Sequence, residues 1–207
     1  MKIFVTSIDT NVGKTIASSV LCSGLGYNYW KPVQCGDLDQ SDSIRVQELS
    51  PNTFIHKESF RLTQPMSPHQ AAYNENVEIK LNDFELPKED KIIIEGAGGV
   101  MVPLNYKGDV ILDLAKKFNT KMIVVFKNYL GSINHTILTI EKIKYYGLPI
   151  IGLIVVGDRV ESSESIIQKV TKTKIIGHLP FCDNIDAEWV QAQGQTIAHK
   201  LGEDFKL

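Results

Sequence analysis

Five short apolar runs rich in β-branched residues limit this chain to few folds. They are KIFVTS (2–7), KIIIE (91–95), KMIVVF (121–126), PIIGLIVV (149–156) and KIIGHLP (174–180). Each run is almost continuously apolar and does not alternate with polar residues, which is typical of strands covered on both faces in a parallel sheet. YWKPV (29–33) is a sixth and weaker strand candidate.

Helix-like stretches lie between or after these runs, at residues 14–25, 109–118, 132–146, 160–172 and 187–201. In the second of them Val110, Ile111, Leu114 and Ala115 share one face. Alternation of strands and helices predicts a doubly wound α/β fold with a mostly parallel sheet and right-handed crossovers. We expect residues 1–207 to form a single domain, in which the more polar segment 36–90 forms part of the active-site wall.

The composition argues against several other classes of protein. The chain has 207 residues, of which 43% are hydrophobic and 22% charged, and its net charge of −2 does not favour a nucleic-acid partner. No apolar run approaches the roughly 20 residues of a membrane span, and the N-terminus lacks a signal-peptide pattern. The cysteines Cys22, Cys35 and Cys182 include no C-x-x-C pair, so they predict neither a disulfide framework nor a zinc site. We therefore expect a cytoplasmic protein with reduced thiols.

The stretch SIDTNVGKT (7–15) nearly matches the phosphate-binding pattern G-x-x-x-x-G-K-S/T, except that Ile8 replaces the first glycine. In such a loop, backbone N–H groups cradle phosphates, the lysine reaches the β- and γ-phosphates, and the threonine hydroxyl ligates magnesium. The alternative is an ordinary strand–turn–helix with an exposed lysine. A strand before the stretch and a helix after it favour a domain of the P-loop NTPase type. The residues expected to contact the nucleotide are Asn11, Val12, Gly13, Lys14, Thr15 and Ile16.

Two other predicted strands end in charged residues that suit the same site. Glu95 ends KIIIE, and the small residues after it let backbone approach a ligand: Gly96, Ala97 and Gly98. Because ligands bind at the carboxyl ends of strands in open α/β sheets, we expect Glu95 to act on magnesium, directly or indirectly. The alternative is a glycine-rich turn with a solvated glutamate. Lys31, which ends the weak run before Pro32, is expected to point into the same crevice.

Three further positions allow both a functional and a structural explanation. Asp42 is either a metal ligand or a carboxylate at a helix start. Ser67 matches a helix N-cap before a first-turn proline, where His69 is either a substrate contact or structural. The Gly-Ser pair of NYLGSINHTIL (128–138) either exposes N–H groups to a carboxylate or simply caps a helix.

Six stretches occur together in one order: VTSIDTNVGKT, KPVQCG, the SD pair 41–42, SPH (67–69), EGAGGVMVPL and YLGSINHTILT. This combination resembles the dethiobiotin synthetase family from residue 3 to about residue 180. The family's loop typically reads GTDTxVGKT, so it also lacks glycine at the position of Ile8, whereas Ser7 replaces a glycine that is usual in the family.

The resemblance implies a magnesium- and ATP-dependent reaction. In it, 7,8-diaminononanoate and CO₂ or bicarbonate yield dethiobiotin through a carbamate and a carbamic-phosphoric anhydride. The resemblance also implies a homodimer in which the substrate lies near the subunit interface, with its carboxylate at a helix start supplied by the second subunit.

The resemblance assigns a role to each matched residue. The residues implied in catalysis are Lys31, Lys14 and Thr10, and those implied in holding magnesium are Thr15, Asp42 and Glu95. The substrate is expected to contact Thr10, Lys31, Cys35, Ser67, Leu130, Gly131 and Asn134. Outside the phosphate loop, the nucleotide is expected to contact Asp42, Glu95, Gly96, Ala97, Gly98, Gly157, Asp158, Pro180 and Phe181.

The chain departs from the family pattern at three places of interest. Cys35 stands where the family often has a serine that contacts substrate, and a thiol is the weaker hydrogen-bond donor. Gly157 stands where the family often has an asparagine that reads adenine, and the stretch after LPF (179–181) is shortened. We therefore expect the protein to select ATP poorly over other nucleoside triphosphates.

Three other functions fit parts of the pattern. A partitioning-type ATPase switch, which binds partner proteins, shares the loop but carries an extra lysine where this chain has Asp9. A larger amide-forming ligase generally carries a glutaminase domain, for which 207 residues leave no room. A non-catalytic nucleotide-binding module would leave the joint presence of Lys14, Lys31, Asp42 and Glu95 unexplained.

Overall fold

The computed structural model describes residues 1–205, which form a seven-stranded parallel sheet, a second two-stranded sheet and flanking helices. The strands are β1 Lys2–Ser7, β2 Asn28–Trp30, β3 Val33–Cys35, β4 Ile55–His56, β5 Phe60–Leu62, β6 Ile92–Gly99, β7 Lys121–Lys127, β8 Ile150–Val156 and β9 Ile175–Leu179. The helices are α1 Lys14–Leu25, α2 Asp42–Leu49, α3 Pro68–Asn74, α4 Ile111–Lys117, α5 Ser132–Tyr145, α6 Glu161–Thr171 and α7 Ala187–Phe205.

The strand order of the large sheet is β4-β2-β6-β1-β7-β8-β9, and every neighbouring pair is parallel. Alternate residues of β1 enter different cores: Ile3 and Val5 pack with residues of α1, α2 and α7, and Phe4 packs with residues of α4, α5 and α6. The sheet is therefore covered on both faces, which explains why its strands are nearly continuously apolar. The predicted fold class is confirmed.

The weak sixth run divides into two strands that belong to different sheets. β2 ends at Trp30 and pairs with β6, whereas β3 begins at Val33 and pairs with β5 in the small parallel sheet. Pro32 lies between them and its carbonyl accepts bonds from Ser59 and Phe60. Since proline has no N–H to continue a ladder, the chain leaves the large sheet here. Lys31 thus lies just beyond β2 and does not end it.

The five predicted helices are present, and α7 continues past the predicted end to Phe205. Helix α1 runs between two left-handed glycines, Gly13 (φ 92°) and Gly26 (φ 64°). It packs closely on α7, because a Cβ built on Gly24 would lie only 2.2 Å from the carbonyl oxygen of Gly194. Within the described part of the chain, no helix has the length and apolar character to cross a membrane. The extent of the domain, 1–207, stays a prediction.

Candidate active site

A cleft of about 800 Å³ opens at the carboxyl ends of the central strands. The predicted site residues that line it are Thr10, Asn11, Gly13, Lys14, Thr15, Ile16, Lys31, Cys35, Asp42, Ser67, Glu95, Ala97 and Gly98. Segment 36–90 supplies one side of the cleft through Asp37, Gln40, Asp42 and residues 65–68. The parallel sheet explains the convergence, because the chain turns at the same edge after each of its strands.

The phosphate loop wraps around the side chain of Lys14. The Lys14 Nζ atom donates to the Ser7 hydroxyl at 2.9 Å and to the Asp9 carbonyl at 3.3 Å, and the lysine is only 8% exposed. The Ser7 hydroxyl in turn donates to the Asp9 carbonyl at 2.5 Å. Burial lowers the pKa of Lys14, and nearby Lys31 acts in the same direction, although Glu95 and Asp42 oppose them. The loop therefore presents a desolvated ammonium group at the start of α1.

Lys31 lies buried between two carboxylates. Its Nζ atom forms ion pairs with Asp42 and, at 3.2 Å, with Glu95 Oε1, and the residue is 4% exposed. Burial alone would lower the pKa of Lys31, but the two carboxylates outweigh burial and raise it to about 12. The same pairing lowers the pKa of Asp42 against the effect of its own burial. The site thus holds a fixed positive charge beside the phosphate loop.

Thr15, Asp42 and Glu95 bring a hydroxyl and two carboxylates together, all of them hard oxygen ligands. The Thr15 hydroxyl lies 2.7 Å from Asp42 Oδ1 and 3.1 Å from Glu95 Oε1. Magnesium in nucleotide sites commonly takes one or two carboxylates, completing its shell with water and phosphate oxygens. Among the described residues there is no cluster of three His, Cys, Asp or Glu side chains suited to a metal. One hydroxyl and two carboxylates are a donor set that fits magnesium bound together with a nucleotide.

Asp42 is the first residue of α2, and the cap of that helix is Ser41, whose side chain accepts from the Ile44 amide. Because Ser41 caps the helix, the Asp42 carboxylate does not, and it contacts Lys31 and Thr15 instead. A first-turn carboxylate also interacts favourably with the positive end of a helix dipole, so the structural and functional explanations of Asp42 are compatible.

Two residues of the site have no motif in the sequence that marks them as functional. The Tyr29 hydroxyl donates to Glu95 Oε2 at 3.1 Å, and Gln34 accepts from the Asp42 amide at 3.4 Å while donating to the Gly36 carbonyl at 3.0 Å. Tyr29 stands two positions before Lys31, and the two-residue period of extended chain is a signal that could have linked them. Gln34 left no comparable pattern.

Cys35 and Ser67 both line the cleft. Burial raises the pKa of the Cys35 thiol to about 11, so the group is a neutral thiol at neutral pH. Ser67 precedes α3, yet its hydroxyl makes no cap bond and instead lies 3.0 Å from His69 Nδ1. The Ser67 hydroxyl is therefore engaged with an imidazole at the cleft wall.

The other predicted site residues lie outside the cleft lining. Gly157 and Phe181 are adjacent: a Cβ on Gly157 would lie 3.2 Å from the Phe181 ring, and that ring is 75% exposed. Leu130 is fully exposed and Gly131 precedes α5. The remaining residues outside the lining are Val12, Gly96, Asn134, Asp158 and Pro180. Val12 is buried, and Gly96 lies against the rings and methyls of the core.

Solved structures of other proteins resemble this fold. The chain aligns with a ParA family ATPase from Chlorobium tepidum at a TM-score of 0.56 and 15% identity, covering 99% of this chain and 92% of that one. It aligns with the cell division ATPase MinD of Pyrococcus furiosus at a TM-score of 0.59 and 12% identity, covering 98% of each. Identities this low show the fold alone, an α/β fold of the P-loop NTPase type.

Relatives found by sequence are far more similar to this chain than those solved structures are. Residues 1–189 match a family described as an AAA domain. An ATP-dependent dethiobiotin synthetase of Christiangramia forsetii is 43% identical over 203 residues, covering 97% of both chains. One of Cytophaga hutchinsonii is 45% identical over 195 residues, covering 92% of this chain and 94% of that one. At this identity and coverage the resemblance extends beyond the fold, and the chain belongs to the ATP-dependent dethiobiotin synthetase family.

Proposed function

We propose that this protein converts 7,8-diaminononanoate and CO₂ to dethiobiotin in biotin biosynthesis, with magnesium and with hydrolysis of ATP to ADP and phosphate. The observation that carries the proposal is the burial of Lys31 between Asp42 and Glu95, directly beside Lys14 and Thr15 of the phosphate loop. A phosphoryl-transfer site needs charge of this kind held in place before the reaction. The family names of the sequence relatives support the same reaction.

The reaction proceeds in three steps. One amine of the substrate attacks CO₂, and loss of a proton leaves a carbamate. A carbamate oxygen then attacks the γ-phosphorus of ATP, the bond to the bridging oxygen breaks, and ADP departs. The second amine attacks the carbonyl carbon of the resulting carbamic-phosphoric anhydride, which closes the ureido ring and expels phosphate.

The residues of the cleft suit these steps. Lys14 and the loop amides from Asn11 to Ile16 bind the phosphates, and Lys31 stabilises the carbamate and the transferring phosphoryl group. Thr10 lies at the cleft beside these groups. Magnesium would be held by Thr15, Asp42 and Glu95, where it would neutralise charge on the phosphate oxygens.

Substrate recognition involves both the cleft and a second copy of the chain. Cys35 and Ser67 line the cleft, and in this proposal they contact the substrate. Leu130, Gly131 and Asn134 lie apart from that lining, and the fully exposed Leu130 suits burial by another molecule. In the proposed homodimer, this helix start closes over the substrate of the other subunit and binds its carboxylate. The three free cysteines agree with a cytoplasmic location.

The nucleoside is proposed to lie at the other end of the site, near Gly157, Asp158, Pro180 and Phe181. These residues follow β8 and β9, next to the phosphate loop, because a Cβ on Gly13 would contact Val156 at 3.0 Å. Glycine at 157 offers no side chain to read the base, which supports use of nucleoside triphosphates other than ATP.

One reaction mixture tests the function. Protein, diamine, bicarbonate and magnesium-ATP are combined, and phosphate and the ring-closed product are followed by colorimetry and mass spectrometry. The proposal requires a product whose mass equals that of diamine plus CO₂ minus water, with one phosphate released per ring. Phosphate release that ignores the diamine would reject the proposal and favour an ATPase switch.

A further inference from the structure

A buried carboxylate lies outside the reaction machinery, at the carboxyl ends of β7 and β8. Glu164 of α6 is 2% exposed. Its Oε1 atom accepts from the Val160 amide at 2.9 Å and from Asn128 Nδ2 at 3.1 Å, and its Oε2 atom accepts from Arg159 Nε. Removing one member of such a buried polar network costs stability, because the remaining buried groups lose a hydrogen-bond partner. None of the steps described above uses this group.

The bonds of Glu164 hold the loop between β8 and α6, which consists of residues 157–160. Asn128 Nδ2 also donates to the Asp158 carbonyl at 2.9 Å. At the start of the loop, the Gly157 amide donates to the Leu179 carbonyl at 2.8 Å, and His178 Nε2 donates to the Gly157 carbonyl at 2.7 Å. The loop is thus fixed from β7, from β9 and from α6.

The strand order shows which part of a nucleotide would meet this loop. Lys31, which follows β2, and Glu95 of β6 lie on one side of β1, and in the proposed reaction they mark the position of the γ-phosphate. Strands β7, β8 and β9 lie on the other side of β1. Val156, the last residue of β8, abuts Gly13 of the phosphate loop. A nucleotide with its γ-phosphate at Lys31 therefore extends its nucleoside towards residues 157–160, where the exposed Phe181 ring borders Gly157.

We propose that Glu164 is a positioning residue for the nucleoside end of the nucleotide. It acts through the β8–α6 loop, which it holds at a fixed height above the phosphate loop, and it does not touch the nucleotide itself. Helix capping alone accounts for the bond to Val160, but it does not account for the other two bonds. The bond from Arg159 ties the loop to α6, and the bond from Asn128 ties α6 to the end of β7. This inference rests on the proposed use of a nucleoside triphosphate.

Two ligands that share phosphates but differ in the nucleoside test the role. Affinities for magnesium-ATP and for magnesium-bound inorganic tripolyphosphate are measured by calorimetry on the full chain, without diamine. We expect Glu164→Gln to weaken ATP binding about tenfold, which corresponds to about 1.4 kcal/mol, and to leave tripolyphosphate binding within a factor of about two. The KM for ATP should rise in parallel, with kcat little changed. The matched control is Glu161→Gln, which removes an exposed acid from the same helical turn and should change neither affinity.

The outcomes separate the possible explanations. Equal weakening of both ligands, or no weakening of either, would overturn the positioning role. If Glu164→Gln does not fold, Arg159→Lys removes one donor from a half-exposed side chain and should shift ATP affinity in the same direction by a smaller factor. Because binding is measured without the diamine, failure of the proposed ring closure would leave this comparison intact, and failure of this comparison would leave ring closure intact.

Discussion

The ammonium group of Lys14 bonds at 2.9 Å to the hydroxyl of Ser7, seven residues earlier and fully buried at the end of β1. The serine thus occupies the position at which the phosphate loop leaves the sheet and gives the lysine a side-chain acceptor inside the loop. A glycine at this position would provide no side-chain acceptor for Lys14.

Replacing Ser7 with alanine should lower the free energy of unfolding by about 1 to 3 kcal/mol, because a buried ammonium group loses a partner. Saturating magnesium-ATP should reduce this loss, since phosphate oxygens then accept from Lys14. Chemical denaturation with and without nucleotide measures both values. The control is Ser18→Ala in α1, whose buried hydroxyl has no partner within the described residues. A loss that is unaffected by nucleotide would show that Lys14 does not turn to the phosphates.

Lys31→Met should reduce turnover on the order of a hundred- to a thousandfold, because the reacting oxygens lose a fixed positive charge. Methionine is preferred to alanine here since it fills most of the space between Asp42 and Glu95. Nucleotide affinity should stay within a few-fold, because Lys14 and the loop amides remain. Stopped product assays and calorimetry measure the two effects, with the exposed Lys127→Met as control. Turnover like that of the unchanged protein would remove Lys31 from the catalytic set.

Asp42→Asn should raise the magnesium concentration needed for half-maximal activity by about tenfold, since an anionic ligand becomes a neutral one. Complete removal of magnesium with a chelator should abolish turnover in both proteins. A magnesium titration of initial rates at fixed ATP measures the shift. The control is Asp39→Asn, which changes an exposed carboxylate in the adjacent turn. An unchanged titration curve would leave Asp42 with its structural contacts alone.

The Cys35 thiol should react slowly with iodoacetamide at pH 8 and progressively faster towards pH 11. Burial raises its pKa to about 11, so the thiolate fraction grows roughly tenfold with each pH unit until that value is reached. Peptide mass spectrometry of the alkylated protein follows the site, and a Cys35→Ser variant gives the background. Rapid labelling at pH 7 would contradict the burial that the structure shows. The same variant restores a stronger hydrogen-bond donor and should lower the KM for the diamine.

ATP and GTP should support ring closure with kcat/KM values that differ by less than a hundredfold, or about 2.7 kcal/mol. The reason is that Gly157 brings no side chain to the base. Gly157→Asn offers an amide that could read adenine, although φ is 83° and the Phe181 ring must shift. The asparagine variant should therefore favour ATP, while Gly157→Ala, which brings the same Cβ without the amide, should not. A preference for ATP above a hundredfold in the unchanged protein would refute the expectation.

The fold was largely predictable because both of its signals are local. β-Branched runs and helical periodicity depend on neighbouring residues, so the strong strands and the helices were located. The small sheet was missed, because β3 and β5 have three residues each and pair across 27 positions of sequence, from Val33 to Phe60. Such a pairing has no local pattern to reveal it.

The meeting of Lys31 and Glu95 was predictable because each closes an apolar run, although Lys31 lies just beyond β2 and Glu95 lies within β6 (Ile92–Gly99) and does not end it. Lys31 and Glu95 were expected at one crevice, and the structure brings them to 3.2 Å. The contact of Tyr29 with Glu95 spans 66 positions and links two ordinary strand residues. The sequence does not distinguish whether Asp42 stabilises a helix start or binds a metal, because a carboxylate in the first turn of a helix can do both.

Helices α1 and α7 touch through Gly24 and Gly194, with no room for a methyl group between them. Lys14 and Thr15 lie in the first turn of α1. The distance between α1 and α7 is set at Gly24, ten residues after Lys14, and it determines how far these two side chains extend beyond the strand ends. An alanine at either glycine would push the helices apart and tilt the phosphate-binding turn without altering one atom that meets the nucleotide. The position of the phosphate-binding turn therefore depends on how closely α7 packs against α1.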